Sequence, residues 1–262
     1  MKVGLTGASG VLGTIVCQKL AQLGVTVSCF TGDLCSKSDI HNWLHCNELD
    51  SILHLAALVP TNLVKEDPLK AFDVNVGGTI NLLTELSTAD LSKRCWFFYA
   101  STSHVYKSSD NPITERNEVS PVSLYGKTKQ MAEDVVIETG KVLQYNLEIC
   151  IGRIFSFYHK TQRSPFLYPT IIKRLEEEDL SKPFFLHGAD SVRDFLNAEE
   201  VVDIIIALSE KRTTGIYNIA SGKGIKIRDF VQSLTPTPLI IKTNQEKDSL
   251  VADISKLKSA LI

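Results

Sequence analysis

The chain has 262 residues, of which 44% are hydrophobic and 22% are charged, and its formal net charge is −2 at pH 7. This composition is typical of a globular protein that can bury a large core, either as one domain or as a core with a smaller lobe. The small net charge gives no electrostatic reason to expect a nucleic-acid or membrane partner. No apolar run approaches the roughly 18 residues that a membrane span requires.

The N-terminal segment and the cysteines indicate a cytoplasmic protein without a metal site. The apolar stretch after Met1 and Lys2 is short and is interrupted by Gly7, which is unlike a signal peptide. The six cysteines show neither a CxxC motif nor a paired ligand spacing. This pattern is typical of free thiols in a reducing compartment.

Short apolar runs alternate with amphipathic stretches, which is the pattern of a parallel sheet with crossover helices. The predicted strands cover residues 2–6, 25–30, 51–55, 95–100, 147–152 and 216–220. The predicted helices cover residues 11–23, 68–86, 124–139 and 198–210. We therefore predict an α/β fold, a Rossmann-type doubly wound parallel sheet.

The later part of the chain is less regular and suggests a second, smaller unit. We expect residues 1–155 to form a dinucleotide-binding domain, to which a strand and a helix from residues 191–220 return. Residues 156–190 and 221–262 would then form a small substrate-binding lobe, with a helix near 168–178 and a strand-like run at 238–241.

A glycine-rich turn follows the first predicted strand. Gly7, Gly10 and Gly13 allow a tight turn, close approach to a pyrophosphate, and packing of the next helix against the strand. The N-terminus of that helix offers backbone N–H groups to phosphate oxygens. Because the turn lies between a strand and an amphipathic helix, its context indicates dinucleotide binding.

Tyr125 and Lys129 are four residues apart on a predicted helix, so their side chains share one face. A nearby ammonium favours phenolate over phenol, and we therefore expect Lys129 to make Tyr125 more acidic. Such a tyrosine is an acid or base usable at neutral pH. Together with the glycine turn, the pair predicts hydride chemistry.

The GxxGxxG spacing and four sequence blocks, one of which contains the Tyr-x-x-x-Lys pair, resemble one family. The blocks lie at residues 50–57, 75–83, 121–129 and 192–196. With them the chain resembles the extended short-chain dehydrogenase/reductase superfamily, in its NAD-dependent epimerase/dehydratase branch that acts on nucleotide sugars. The resemblance implies an NAD or NADP cofactor, a nucleotide-diphosphate-sugar substrate and a homodimer.

The resemblance also implies a cofactor site. Its expected residues are Gly7, Ser9, Gly10, Val11, Leu12, Gly13, Thr31, Asp33, Leu34, Leu55, Ala56, Ala57, Asn75, Tyr125 and Lys129. By the family's spacing, the carboxylate that binds the ribose in NAD enzymes falls near Phe30 and Thr31, and neither of these residues is acidic. Thr31, Ser36 and Lys37 are candidate ligands of a 2′-phosphate, although Lys37 has the alternative of a solvated loop charge. Asp33 resembles the aspartate that contacts the adenine amine. We favour NADP, with NAD as the alternative.

By the same resemblance, Tyr125 exchanges a proton with the substrate oxygen and Lys129 holds the nicotinamide ribose. The catalytic hydroxyl falls on Thr102, three residues before the Val-Tyr pair at 105–106. Ser101 and Ser103 stay open as alternatives, because a shift of one residue at a strand end would exchange them.

Ser103 and His104 stand where the sugar 4,6-dehydratases of this branch place a carboxylate. Elimination of water needs that additional acid and base, so we disfavour dehydration. His104 is either an acid or base itself or a hydrogen-bonded histidine at a strand end. Arg193 aligns with an arginine that binds the substrate diphosphate, or else it has a structural role beside Asp194. Ser156 replaces a common asparagine in the substrate site.

The resulting hypothesis is an NAD(P)-dependent reductase of a 4-keto nucleotide sugar. A 4-epimerase that retains NAD is the alternative, because it would use the same residues. A non-catalytic dinucleotide-binding protein is the third possibility, although such proteins typically lose the tyrosine or the lysine.

Overall fold

The computed structural model describes residues 2–59, 61–89, 94–143, 146–243 and 247–262. The strands are β1 Lys2–Thr6, β2 Thr26–Cys29, β3 Ser51–His54, β4 Cys95–Thr102, β5 Leu147–Ile154, β6 Ser156–Tyr158, β7 Phe184–Phe185, β8 Val192–Asn197, β9 Gly215–Ile219, β10 Gly224–Lys226, β11 Ile241–Lys242 and β12 Ser249–Leu250. The helices are α1 Val11–Gln22, α2 Lys37–His45, α3 Thr61–Glu66, α4 Pro68–Phe72, α5 Gly78–Thr88, α6 Leu124–Val142, α7 Leu167–Glu177, α8 Ala198–Glu210, α9 Ile227–Ser233 and α10 Ser255–Leu261.

The main sheet has the strand order β2-β1-β3-β4-β5-β9, and all of its pairs are parallel. Helices α1 and α8 pack on one face, while α2, α5 and α6 pack on the other. The chain reverses its direction of progress across the sheet between β2 and β3. The carboxyl ends of β1 and β3 therefore border a crevice of the kind that binds dinucleotides. The predicted Rossmann-type α/β fold is confirmed.

Strand β4 is the centre of the core, because all eight of its residues are buried. Trp96 and Phe98 pack towards α1 and α8, whereas Phe97 and Tyr99 pack towards α5 and α6. Burial on both faces explains why this strand is almost continuously apolar. Burial also keeps the end of β4, which carries Thr102, in a fixed position.

Two helical segments differ from the sequence prediction. Helix α2 was not predicted, since its buried residues Ile40, Trp43 and Leu44 are spaced by polar ones over only nine residues. The helix predicted over 68–86 is α4 and α5 joined by a π-helical turn, Asp73–Gly77. Such turns often occur at functional sites, and this one contains Asn75.

A second sheet is built around β8, which pairs with β10, β12 and β6. Strand β8 lies within 191–220 but outside the main sheet, whereas β9 and α8 of that range do join the dinucleotide-binding part. Residues 255–261, expected in the lobe, form α10 and contact β9 and α8 instead. Among the described residues, no helix is both long and apolar enough to cross a membrane.

Candidate active site

The glycine turn brings three parts of the backbone into close contact. Gly7 has φ +78°, and a side chain built on it would lie 2.7 Å from the amide nitrogen of Ala56. A side chain on Gly13 would lie 2.2 Å from the carbonyl oxygen of Gly7. Gly10 caps α1, whose first turn carries no acidic residue. Backbone N–H groups and the helix dipole therefore meet there without a competing negative charge, which fits the pyrophosphate of a dinucleotide.

A buried hydrogen-bond chain supports the loop beside this turn. Thr79 donates to the carbonyl of Asn75, so His54 donates from Nε2 to Thr79 at 3.0 Å. Nδ1 of His54 then accepts from the Thr6 hydroxyl at 2.7 Å, and Thr6 accepts from the amide of Ala56 at 3.2 Å. Burial, followed by the charge of Lys129, lowers the pKa of His54 to about 3, which keeps the ring neutral. The chain holds half-buried Leu55, Ala56 and Ala57 against the cofactor turn.

Asn75 connects that loop to the helix bearing the tyrosine. Its Oδ1 accepts from the amide of Leu58 at 2.6 Å, and its Nδ2 donates to Thr128 Oγ1 at 3.1 Å. Thr128 precedes Lys129 on α6. Asn75 thus holds the two sides of the crevice at a defined separation.

The expected adenosine end of the site is open. Ser9, Thr31 and Asp33 are exposed, Val11 and Leu12 are half-buried, and Leu34 is buried. Asp33 Oδ1 accepts from the amide of Cys35 at 2.9 Å, and Ser36 caps α2 by accepting from Asp39. Strand β2 ends at Cys29, and the next two residues, Phe30 and Thr31, are not acidic. The Asp39 carboxylate reaches this loop from α2 and accepts from the amide of Asp33 at 2.9 Å.

Close helix packing brings Tyr125 to the end of β4. A side chain on Gly126 would lie 2.2 Å from the carbonyl oxygen of His104, so the first turn of α6 touches the short 3₁₀ helix after Thr102. This packing puts the Thr102 side chain beside the Tyr125 phenol, close enough to lower the pKa of that phenol. Lys129 follows one turn later on α6, and its side chain points towards the sheet, with Nζ 4.2 Å from the centre of the Tyr99 ring.

Desolvation controls the protonation of both groups. It raises the pKa of Tyr125 to about 12, against the opposing hydrogen bond with Thr102. It lowers the pKa of Lys129 to about 7, against the opposing charge of Glu133. The expectation that Lys129 makes Tyr125 more acidic than an ordinary tyrosine is wrong for this structure, because burial raises the pKa of the phenol and the opposing contribution comes from Thr102.

The three neighbouring hydroxyls at the end of β4 have different surroundings. Ser101 donates to the carboxylate of Glu133, on the side facing α6. Ser103 is buried in the 3₁₀ helix, whereas Thr102 interacts with Tyr125. We did not predict that Glu133 belongs to this region, although its position four residues after Lys129 was a signal.

The expected substrate residues lie beside Tyr125. The exposed His104 packs against Tyr125 in a T-shaped arrangement, with ring centroids 5.8 Å apart. Desolvation and then the charge of Arg193 lower the pKa of His104, while Asp248 opposes them. Ser156 is half-buried at the start of β6, in register with Phe195 of β8.

Arg193 forms an ion pair that the sequence did not reveal. Its Nη2 lies 2.8 Å from both carboxylate oxygens of Asp248. The alternative pairing with Asp194 is wrong, since that buried carboxylate accepts hydrogen bonds from Ser221, Gly222 and Ala252 instead. The reason is the alternation of β8, which places neighbouring side chains on opposite faces. Within the described part of the chain, no cluster of His, Cys, Asp or Glu is arranged for a metal ion.

A dinucleotide crevice beside a Tyr–Lys pair on a doubly wound parallel sheet defines an enzyme of the extended short-chain dehydrogenase/reductase type. Comparison with known sequences gives the family. The chain belongs to the GDP-mannose 4,6 dehydratase family, whose sequence profile matches residues 12–260. It is thus an enzyme of the NAD-dependent epimerase/dehydratase group, as the motifs predicted.

Individual relatives span several reactions. The UDP-glucose 4-epimerase of Lactobacillus helveticus is 26% identical over 306 aligned positions, which cover 100% of this chain and 91% of that protein. The GDP-6-deoxy-D-talose 4-dehydrogenase of Aggregatibacter actinomycetemcomitans is 29% identical over 283 positions, with the same coverage. The structure of RMD from Pseudomonas aeruginosa complexed with NADPH has a TM-score of 0.87 at 22% identity, covering 99% of this chain and 92% of that one.

Proposed function

We propose that the protein reduces the 4-keto group of a nucleotide-diphosphate sugar with NADPH or NADH. The observation that carries this proposal is the meeting of Tyr125 and Thr102 at the carboxyl edge of the sheet, one helical turn from Lys129. The 4-dehydrogenase relative supports it, because oxidation at C4 is the reverse of the proposed reduction.

Each residue has a task in the reduction. When bound, the reduced nicotinamide supplies the hydride that goes to the carbonyl carbon. Tyr125 gives its phenolic proton to the substrate oxygen, and Thr102 polarises that oxygen by a hydrogen bond. In this proposal Lys129, as the ammonium, would hold the nicotinamide ribose and offset the negative charge left on Tyr125 after proton transfer, without bringing the pKa of Tyr125 below its usual value. A pKa of about 12 keeps Tyr125 protonated at neutral pH, as an acid in the reductive direction must be.

The residues after Thr102 argue against dehydration. Removal of water from a sugar needs a second acid and base beside the first. Ser103 is buried in the 3₁₀ helix and has no charge to offer, and His104 packs against Tyr125. We therefore keep the reductase assignment although the family takes its description from a dehydratase.

The substrate would be held on the side of β8. In this proposal Arg193 binds the diphosphate, because its planar guanidinium can donate two parallel hydrogen bonds to phosphate oxygens. Asp248 orients the guanidinium. Ser156 and His104 line the same side, and the substrate lobe comprises α7, α9 and the sheet around β8. We further propose NADP as the cofactor, because β2 ends without a carboxylate. A cytoplasmic homodimer completes the proposal.

A 4-epimerase is the second candidate, and the Lactobacillus helveticus relative favours it. An epimerase would use Tyr125 first as a base and then as an acid, on tightly retained NAD. The two are separated by purifying the protein and supplying nucleotide sugars and 4-keto nucleotide sugars with NADPH or NADH. Stoichiometric bound NAD, together with sugar interconversion that consumes no reduced cofactor, would contradict the reductase.

The test of the chemistry is Tyr125→Phe, with Tyr217→Phe on β9 as the control. We expect Tyr125→Phe to bind cofactor normally but to lose about 10²–10⁴-fold in turnover, because only the proton donor is removed. Turnover is followed by absorbance of the reduced nicotinamide, and cofactor binding by its fluorescence. Near-normal turnover in Tyr125→Phe would refute the assignment of the acid.

A further inference from the structure

A buried ion pair lies directly behind the reacting groups. Arg153 of β5 donates from Nη2 to Glu133 of α6 at 2.7 Å, and from Nε to both carboxylate oxygens at 3.1 and 3.2 Å. The side chains are only 4% and 2% exposed. Removing two charges from water is costly, and a well-packed apolar pair would hold a helix to a sheet equally well. The charges therefore call for an explanation other than stability.

The carboxylate is connected to both elements that carry the reacting groups. Glu133 follows Lys129 by four residues, so the two share one face of α6. Ser101 donates its hydroxyl to Glu133, and the next residue of β4 is Thr102. Ser101 also stands in register with Arg153 of β5. A single side chain thus joins the helix bearing Lys129 to the strand end bearing Thr102.

Arg153, the other member of the ion pair, makes further hydrogen bonds. Arg153 donates from Nη1 to the Tyr106 hydroxyl at 2.8 Å, and Tyr106 donates to Asn218 Oδ1 at 2.8 Å. These bonds hold the guanidinium between Glu133 and Tyr106. The charge of the Glu133 carboxylate raises the pKa of Lys129.

Glu133 supplies the negative charge that raises the pKa of Lys129. In the described part of the chain, the titratable side chains around Lys129 and the Glu133 carboxylate are His54 of β3, Tyr99 of β4, Tyr106, Arg153 of β5, and Tyr125, Glu133 and Asp134 of α6. Burial keeps His54 and Tyr99 neutral at pH 7. From the π-helical turn the nearest side chain is the uncharged amide of Asn75, which reaches Thr128.

We propose that Glu133 is a positioning residue that keeps Lys129 protonated and, through Ser101, fixes the strand end that presents Thr102 to Tyr125. This inference rests on the proposed function, in which Lys129 must act as an ammonium. Burial lowers the pKa of Lys129 and Glu133 raises it again. Turnover should therefore fall as the pH rises and Lys129 loses its proton, and without Glu133 that fall should begin at lower pH.

The test compares three variants. Glu133→Gln removes the charge but keeps the size and a hydrogen-bond acceptor, while Glu133→Asp keeps the charge. Glu138→Gln is the matched control, because Glu138 lies on the same helix with its side chain 70% exposed. We expect the alkaline limb of the rate profile to move to lower pH by about one unit in Glu133→Gln, the low end of the effect of a nearby opposite charge.

A second readout does not depend on turnover. The ¹³Cε resonance of Lys129, assigned with Lys129→Arg, is titrated by NMR in the protein alone. It should show the same downward shift in Glu133→Gln, and the wild-type midpoint in Glu133→Asp and Glu138→Gln. A folded Glu133→Gln protein with an unchanged Lys129 midpoint and an unchanged alkaline limb would overturn the proposal.

Ser101→Ala covers the case in which Glu133→Gln does not fold. This variant leaves both charges in place and cuts only the link to β4, so we expect a lower kcat at unchanged KM. Turnover within twofold of wild type would overturn the proposal. The outcomes remain separable from those for the proposed function. Loss of turnover in Tyr125→Phe with an unaltered profile in Glu133→Gln refutes this inference alone, whereas normal turnover in Tyr125→Phe refutes the proposed function.

Discussion

A methyl group at Gly13 should disrupt the cofactor turn, and the distances allow the size of the effect to be worked out. The Cβ of Gly13→Ala would lie 2.2 Å from the Gly7 carbonyl oxygen and 2.7 Å from Ala8 Cα. Both are backbone atoms, which cannot rotate out of the way as a flexible side chain can. The turn must therefore move if the protein is to fold.

Two opposing effects decide whether Gly13→Ala stabilises or destabilises the protein. Alanine is favoured over glycine within a helix by about 1 kcal/mol, which would stabilise α1. Overpacking a tight contact costs about 1–3 kcal/mol and sometimes more, and a separation of 2.2 Å belongs at the severe end. We expect a net loss of about 1–2 kcal/mol, which lowers Tm by roughly 2–8 °C in a chain of this size. Cofactor affinity should fall as well, because the displaced turn is the proposed binding site of the pyrophosphate.

Gly77→Ala is the matched control, since it is the same change in a helical backbone without the contact. Gly77 has φ −58° and ψ −45°, and the nearest atom to an added Cβ is the Phe72 carbonyl oxygen at 3.9 Å. This variant should be stabilised by about 0.5–1 kcal/mol. Thermal unfolding by circular dichroism and titration of NADPH fluorescence measure both quantities. If Gly13→Ala proves as stable as Gly77→Ala and binds cofactor like wild type, the close-approach reasoning is refuted.

Two further predictions concern buried charges. Lys129→Met should abolish turnover yet raise stability by about 1 kcal/mol or more at pH 6, because a buried ammonium is replaced by an apolar chain. The folded-state pKa is about 7 and the ordinary value is 10.5, so between them the unfolded chain binds more protons and wild-type stability rises with pH. The advantage of the variant should therefore shrink towards pH 10 in urea titrations, and exposed Lys127→Met should show neither effect. Asp194→Asn should cost about 2–3 kcal/mol, because an amide cannot accept all the hydrogen bonds that this carboxylate receives. An unchanged urea midpoint would contradict that role.

The features that sequence patterns predicted correctly are those set by local spacing. Parallel strands and their crossover helices were visible because burial on both faces demands nearly continuous apolar runs, as in β4. The prediction failed at α2, where only three of nine residues are buried. It also treated the region of Asn75 as regular helix, because a π-helical turn leaves the apolar spacing almost unchanged over one turn.

In the candidate site, too, contacts between residues close in the chain were predictable and contacts between distant residues were not. Lys129 stands four residues after Tyr125 and the glycines recur within one short turn, so contacts between close neighbours in the chain were readable from their spacing. The ion pair of Arg193 with Asp248 joins residues 55 positions apart, so local sequence spacing does not predict it.

By itself, the sequence determined the class of enzyme, and it located the glycine turn and the tyrosine proposed as the acid. These depend on residue types at short, regular intervals. Only the tertiary structure decided how those groups are charged. The protonation of Tyr125 and Lys129 depends on how completely other elements exclude water from them, and the carboxylate of Glu133 acts on Lys129 against that desolvation.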